Sequence, residues 1–148
     1  MSNIKKISIR KVKIGKNVKI IEPVNLYECE IGDNSFIGPF VEIQKNVKIG
    51  QNCRIQSHSF LCENVKIGND CFIGHGVNFI NDKFRNGKVE TNRKKFLKTV
   101  VGNKVKIGSN ATILPVEINS GVTIGAGSVV TKRCLKNQIY FGNPAKKR

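Results

Sequence analysis

Three observations on this 148-residue sequence predict an all-β fold, a parallel β-helix wound from short strands. A large aliphatic or aromatic residue returns at every sixth position, glycine commonly follows it, and a smaller or β-branched residue precedes it by two. A period of six does not match an α-helix of about 3.6 residues per turn, so the repeat sets the architecture before any helix or strand is assigned.

The repeat begins at Ile14, Ile20 and Leu26, and from Ile31 it runs at a strict spacing of six through Ile37, Ile43, Ile49, Ile55, Leu61, Ile67, Ile73 and Phe79. It returns at Val101, Ile107 and Ile113, then at Ile118, Ile124 and Val130. Before Ile14 it fades, because Ser8 stands six positions back. Two residues ahead of the key positions lie Val12, Val18, Val24, Cys29, Ser35, Val41, Val47, Cys53, Ser59, Val65, Cys71 and Val77. Strand side chains alternate, so both sets point inward and the residue between them outward, where Lys13, Lys19, Lys48, Lys66 and Lys106 stand. The glycine and its polar followers make a corner. Three strands and three corners close a triangular coil of about 18 residues, and about six stacked coils would reach on the order of 30 Å. Residues one coil apart should stack, so Ser35, Cys53 and Cys71 form an interior ladder. Cys29, Cys53 and Cys71 therefore read as reduced packing residues, and none of the five cysteines forms a CxxC pair.

The steps from Leu26 to Ile31 and from Ile113 to Ile118 are one residue short, a local adjustment at a corner. Between Phe79 and Val101 about 16 extra residues enter, and this polar, basic insertion at 81–99 is expected to carry function. The expected organisation is a single β-helix domain over 1–148, with the loop at 81–99 and a tail at 133–148.

The sequence holds 26 Lys and Arg against 10 Asp and Glu, a net charge of +16, which favours anionic partners. Seven basic residues fall in the first 20 positions and seven between Lys83 and Lys98. RNA-binding aromatic motifs and zinc-finger spacings are absent, which argues against nucleic acid. No stretch reads as a signal peptide or membrane span, so the expected compartment is the cytoplasm, with no membrane partner.

The Ile/Val/Leu-Gly hexads resemble those of the hexapeptide-repeat acyltransferases, and the resemblance runs from about residue 12 onward. The run Ile124-Gly-Ala-Gly-Ser-Val-Val-Thr-Lys132 and the tail Phe141-Gly-Asn-Pro-Ala-Lys146 look like that family's closing signature. The resemblance implies a left-handed parallel β-helix and a homotrimer with active sites between subunits. Ile55-Gln-Ser-His-Ser-Phe-Leu-Cys62 and Phe72-Ile-Gly-His-Gly-Val-Asn-Phe-Ile-Asn-Asp82 are similar to the branch that acetylates the amine, typically a 3-amino group, of UDP- or dTDP-linked sugars with acetyl-CoA. Carried over by position, Asn81 would hold the acceptor amine with Asp82 beside it. Ala111, Gly125, Ala126 and Gly127 would offer backbone partners to the pantetheine arm, and Lys132, Pro144 and Lys146 would lie near the CoA nucleotide. The chain departs from the branch in placing Lys83-Phe-Arg85 where Pro-Arg often follows Asn-Asp, and in its short tail.

Acetyl transfer to an amine needs an uncharged nucleophile, and a histidine of pKa near 6.5 suits the proton. His58 and His75, the only histidines, are 17 apart and should share one edge of the prism. His75, in a His-Gly pair expected beside the inserted loop, is the candidate base or orienting group, and His58 a candidate substrate contact. Arg85 is the loop residue chosen to hold a diphosphate through charge-assisted bonds. Some relatives in the branch use no side-chain base, the departing CoA sulfur taking the proton. An O-acetyltransferase is the main rival, but those relatives place a histidine in the loop and 81–99 contains none. A zinc hydratase needs three histidine ligands, so no metal is expected. A non-catalytic binding or scaffold solenoid would not bind acetyl-CoA.

Overall fold

The alternation of inward and outward side chains builds a three-faced solenoid of about seven turns. The computed structural model describes residues 1–5 and 8–148, so Lys6 and Ile7 lie outside the described residues. Nearly every strand is only two residues long, because a side of the triangle needs one inward residue and its outward neighbour before the chain turns. The first face stacks Ile9–Arg10, Asn25–Tyr27, Glu42–Ile43, Phe60–Leu61, Asn78–Phe79, Thr112–Ile113 and Val129–Val130. The second stacks the strands from Lys13–Ile14 to Glu117–Ile118, and the third those from Lys19–Ile20 to Ile139–Phe141. All these pairings are parallel, and the antiparallel Lys146–Lys147 closes the third sheet at the C-terminal end. The arrangement is consistent with the left-handed β-helix expected above.

Register follows the hexad count. Ile31 pairs with Ile49 and Ile49 with Ile67, a repeat of 18. Ile14 pairs with Ile31 and Val101 with Ile118, a repeat of 17 where a corner is short. Ile67 pairs with Val101, so the insertion enters without shifting the ladder. The stack is one turn longer than the hexads suggest. Ile9 takes the place that Ser8 leaves empty, reached by another short step, and pairs with Leu26.

The core is a single column. Ile37, Ile43, Ile55, Leu61, Ile73, Phe79, Ile107, Ile113 and Ile118 are fully buried, as expected for the inward positions. All five cysteines are buried and reduced. Ser35 Oγ donates to Gly50 O at 3.0 Å and accepts from Cys53 N at 3.0 Å, so the small-residue ladder satisfies the polar atoms it buries. Burial pushes the Cys29 and Cys134 thiols up to about 11 and the Cys62 thiol up to about 12, which keeps them protonated and inert. No helix among the described residues is long and apolar enough to cross a membrane.

The edge between the second and third faces is a polar ladder. Asn17, Asn34, Asn52, Asp70, Lys104, Gly121 and Asn137 all take positive φ there, a conformation that Asn, Asp and Gly tolerate best. Side chains also cap the coil below: Asn69 Oδ1 accepts from Gln51 N at 3.0 Å and Asn103 Oδ1 from Asn69 N at 2.8 Å.

Candidate active site

The inserted loop leaves the first face after Asn78–Phe79 and rejoins the second at Val100–Val101, replacing one corner. Two short 3-10 turns, Arg85–Gly87 and Arg93–Lys95, give it shape. Asp82 organises the first half, its two carboxylate oxygens accepting from Phe84 N and Glu90 N, each at 2.8 Å. Asn92 Oδ1 caps the second turn by accepting from Lys94 N at 3.0 Å. Arg93 then reaches back to the coil, where its Nη2 meets Glu63 Oε1 at 2.7 Å. Glu63 is buried, so this charge-assisted bond docks the loop on the prism.

Docking opens three adjoining clefts. One of about 500 Å³ is lined by Lys83, Arg85, Lys88 and Lys95 together with Asn81 and Asp82. The second, of about 460 Å³, lies between loop and first face and has aromatic walls, Phe60, Phe84 and Phe96, again with Asn81. A third, of about 400 Å³, carries Lys45, Arg93, Lys94 and Lys98. Asn81 thus stands where a cleft in which cations outnumber the carboxylates of Asp82 and Glu90 meets one with aromatic walls. Arg85 is exposed in the first cleft, among several cations.

The histidines lie elsewhere. Both sit on the edge between the third and first faces, as their spacing implied, but the loop occupies the next edge. Strand Asn78–Phe79 separates His75 from Asn81, so the expectation of a His-Gly corner beside the loop is corrected. His75 is exposed, and Ser57 Oγ lies 2.8 Å from its Nδ1. Its N–H donates to Ser109 Oγ at 3.2 Å and its carbonyl accepts from Asn110 N at 2.8 Å. An Nδ1–H donated to Ser57 leaves Nε2 as a base facing solvent. Ser57, not His58, stands below His75; His58 instead stacks on Phe40, ring centroids 4.8 Å apart.

Gly125, Ala126 and Gly127 fall on the histidine edge. Gly125 N donates to Tyr140 O and Gly127 N to Ser109 O, each at 2.8 Å, so both amides are used within the fold. Ala126 is exposed between them. Ala111 is fully buried, and its carbonyl accepts from Asn78 N at 3.0 Å, so its side chain and carbonyl belong to the scaffold. Lys132 is exposed on the loop edge, one strand from Ala126. Pro144 and Lys146 are exposed in the tail, which crosses the histidine edge where Ala145 N donates to Val129 O at 2.8 Å. Within one chain, then, the candidates form two groups, His58, His75 and Ala126 on one edge, Asn81, Asp82, Arg85 and Lys132 on the next. Sequence reasoning missed Ser57 and Glu63, and it read Arg93 as one of the loop cations for a diphosphate where the structure pairs it with Glu63; only the serine, one full coil before His75, was there to be counted.

Comparison with known proteins agrees with this architecture. Residues 28–63 match the bacterial transferase hexapeptide (six repeats), and residues 98–132 the hexapeptide repeat of succinyl-transferase. The chain is 34% identical over 139 residues to the bifunctional protein GlmU of Streptococcus uberis, covering 88% of this chain and 30% of that protein. It thus spans about three tenths of the length of the curated relatives it matches. A mutant of AntD, an N-acyltransferase from Bacillus cereus solved with dTDP and coenzyme A, aligns at a TM-score of 0.71 and 26% identity, over 92% of this chain and 82% of that one. PerB from Caulobacter crescentus, solved with CoA and GDP-perosamine, shares the fold at a TM-score of 0.67 and 19% identity, over 93% of this chain and 54% of that one. The coil, the hexads and both matched runs agree: the chain carries the hexapeptide repeat of bacterial transferases over residues 28–63 and 98–132.

Proposed function

We propose that the chain is an acetyl-CoA-dependent N-acetyltransferase acting on the amino group of a sugar linked to dTDP or UDP. The observation that carries this reading is the single docked excursion from the coil, which sets Asn81 between a cationic cleft and an aromatic one. A nucleotide-linked sugar has a matching division, an anionic diphosphate beside a less polar ring. The likeness to AntD, crystallised with dTDP and coenzyme A, supports the same substrate class.

In this reading Asn81 orients the neutral amine and Arg85 meets the diphosphate, while Asp82 acts through the loop it folds. The amine nitrogen attacks the thioester carbonyl, a C–N bond forms, and the oxyanion is met by backbone N–H groups. Collapse breaks the C–S bond and releases CoA thiolate. The amine proton passes to His75 Nε2, or directly to the departing sulfur. Because His75 and Asn81 occupy different edges, a site using both draws them from two neighbouring subunits, in keeping with a homotrimer. The exposed Ala126, Lys132, Pro144 and Lys146 are then the candidates for contact with CoA.

The test is an assay of free thiol release from acetyl-CoA with a panel of dTDP- and UDP-linked amino sugars and their hydroxyl counterparts. Acetylation of the amine, reduced about 100-fold in kcat/KM by Asn81→Ala, is the expected result. Acetylation of hydroxyls alone, or failure to bind CoA, overturns it.

A further inference from the structure

The docked loop makes two cation-lined clefts, and the function proposed above uses only the one that holds Arg85. The other, of about 400 Å³, shares Glu63, Arg93 and Phe96 with the aromatic cleft, so these three side chains form a wall between the two. Asn81 marks the opposite boundary of the aromatic cleft, where it meets the cleft of Arg85. The aromatic cleft is therefore flanked by positive charge on both sides.

Charge in the second cleft is not balanced. Its one carboxylate, Glu63, is buried and already met by Arg93 Nη2 at 2.7 Å, and Lys45 Nζ has Glu28 Oε2 at 3.3 Å. Lys94 and Lys98, both exposed, form no ion pair among the described residues. A guanidinium has five N–H donors, so Arg93 can hold Glu63 and still donate to an anion on the cleft side. The cleft thus offers two uncompensated ammonium groups beside an arginine fixed in place, in a concavity that raises the local concentration of anions.

This wall lies close to Asn81. Phe60 pairs with Asn78, and counting three residues on sets Glu63 and Asn81 at the same place in successive coils, about 4.8 Å apart at the backbone. Such a separation suits two substituents on opposite sides of one sugar ring.

We propose that the second cleft binds an acidic group on the sugar itself, so that the acceptor carries a carboxylate across the ring from its amine. The proposal rests on the function given above and narrows its substrate class. With the amine at Asn81 and the diphosphate at Arg85, the ring lies in the aromatic cleft and its carboxylate meets Arg93, Lys94 and Lys98 through charge-assisted bonds. A neutral sugar leaves those cations to water and gains nothing from them.

The test compares two acceptors with the same nucleotide and the same amino group, one bearing a carboxylate where the other has a hydroxymethyl group. Both are measured by thiol release and by calorimetry. The wild type is expected to favour the acidic acceptor by about ten-fold or more in kcat/KM and in affinity. Lys94→Ala combined with Lys98→Ala, which leaves Arg93 docked on Glu63, is expected to abolish most of that preference. The double variant should keep the wild-type kcat/KM on the neutral acceptor and the wild-type melting temperature. A wild type that acetylates the neutral acceptor as well or better overturns the subsite and leaves the function standing. An equal loss on both acceptors in the double variant also overturns it, by giving these lysines to the shared diphosphate. A wild type that binds the acidic acceptor through the lysines yet transfers no acetyl group upholds the subsite and overturns the function. Binding of neither acceptor overturns both.

Discussion

Two edges of the prism solve the same backbone problem with different residues. On the edge between the second and third faces, positive φ is met mainly by Asn and Asp, and side chains one position away cap the coil beneath. On the edge between the third and first faces, the same conformation is given to Phe40 and His58, beside an exposed His75 held by Ser57. The first edge shows what the fold needs from a corner. The second carries, in the same conformation, two aromatic rings that stack on each other.

Substitutions can break this comparison. His75→Ala should have the largest effect, a fall in kcat of about 100-fold in the acetyl-transfer assay, with an unchanged melting temperature. A lowered melting temperature with full activity would make His75 a scaffold residue. Gly68→Ala, on the polar edge, places a Cβ 2.7 Å from Gly102 O and should cost about 2 kcal/mol in urea unfolding. Gly127→Ala meets nothing within 4 Å and should cost about 1 kcal/mol, from its positive φ alone. Equal costs would erase the distinction between a packed edge and an open one. Arg93→Ala leaves the buried Glu63 carboxylate unpaired and should cost about 1.5 kcal/mol, with faster proteolysis confined to 81–99. Asn69→Ala, which removes one cap, should cost about 1 kcal/mol without changing CoA or nucleotide affinity.

Much of this was legible in the residues. The hexad count yields the three faces, the buried cysteines and the size of the insertion, because one inward residue per side is the whole rule of the core. Counting sides further would have placed the loop on a different edge from the histidines, since it follows a first-face strand and they follow third-face strands. The first strand was hidden because a short step moved its key residue to Ile9. The turn made by Asp82 is local, its carboxylate bonded to a backbone N–H two residues on, and was open to recognition. The stack of Phe40 on His58, one coil apart, followed from the same count, whereas the contact of Arg93 with Glu63 joins the insertion to the coil, and periodicity says nothing of which side chains meet there.

The loop's effect on register has a consequence for how such chains diversify. Ile67 still faces Val101, although the insertion lies between them, so the ladder on either side is blind to what the excursion contains. Its two ends are held together by neighbouring strands that would pair anyway, and lengthening such a loop adds little closure entropy. A new excursion can therefore be grafted at this corner, altered in length or rewritten in charge, while the core column stays the same. Loop sequence and core stability are then separable except at Arg93, which pairs the buried Glu63, so a loop exchanged between two such chains should keep the fold where that pair is kept.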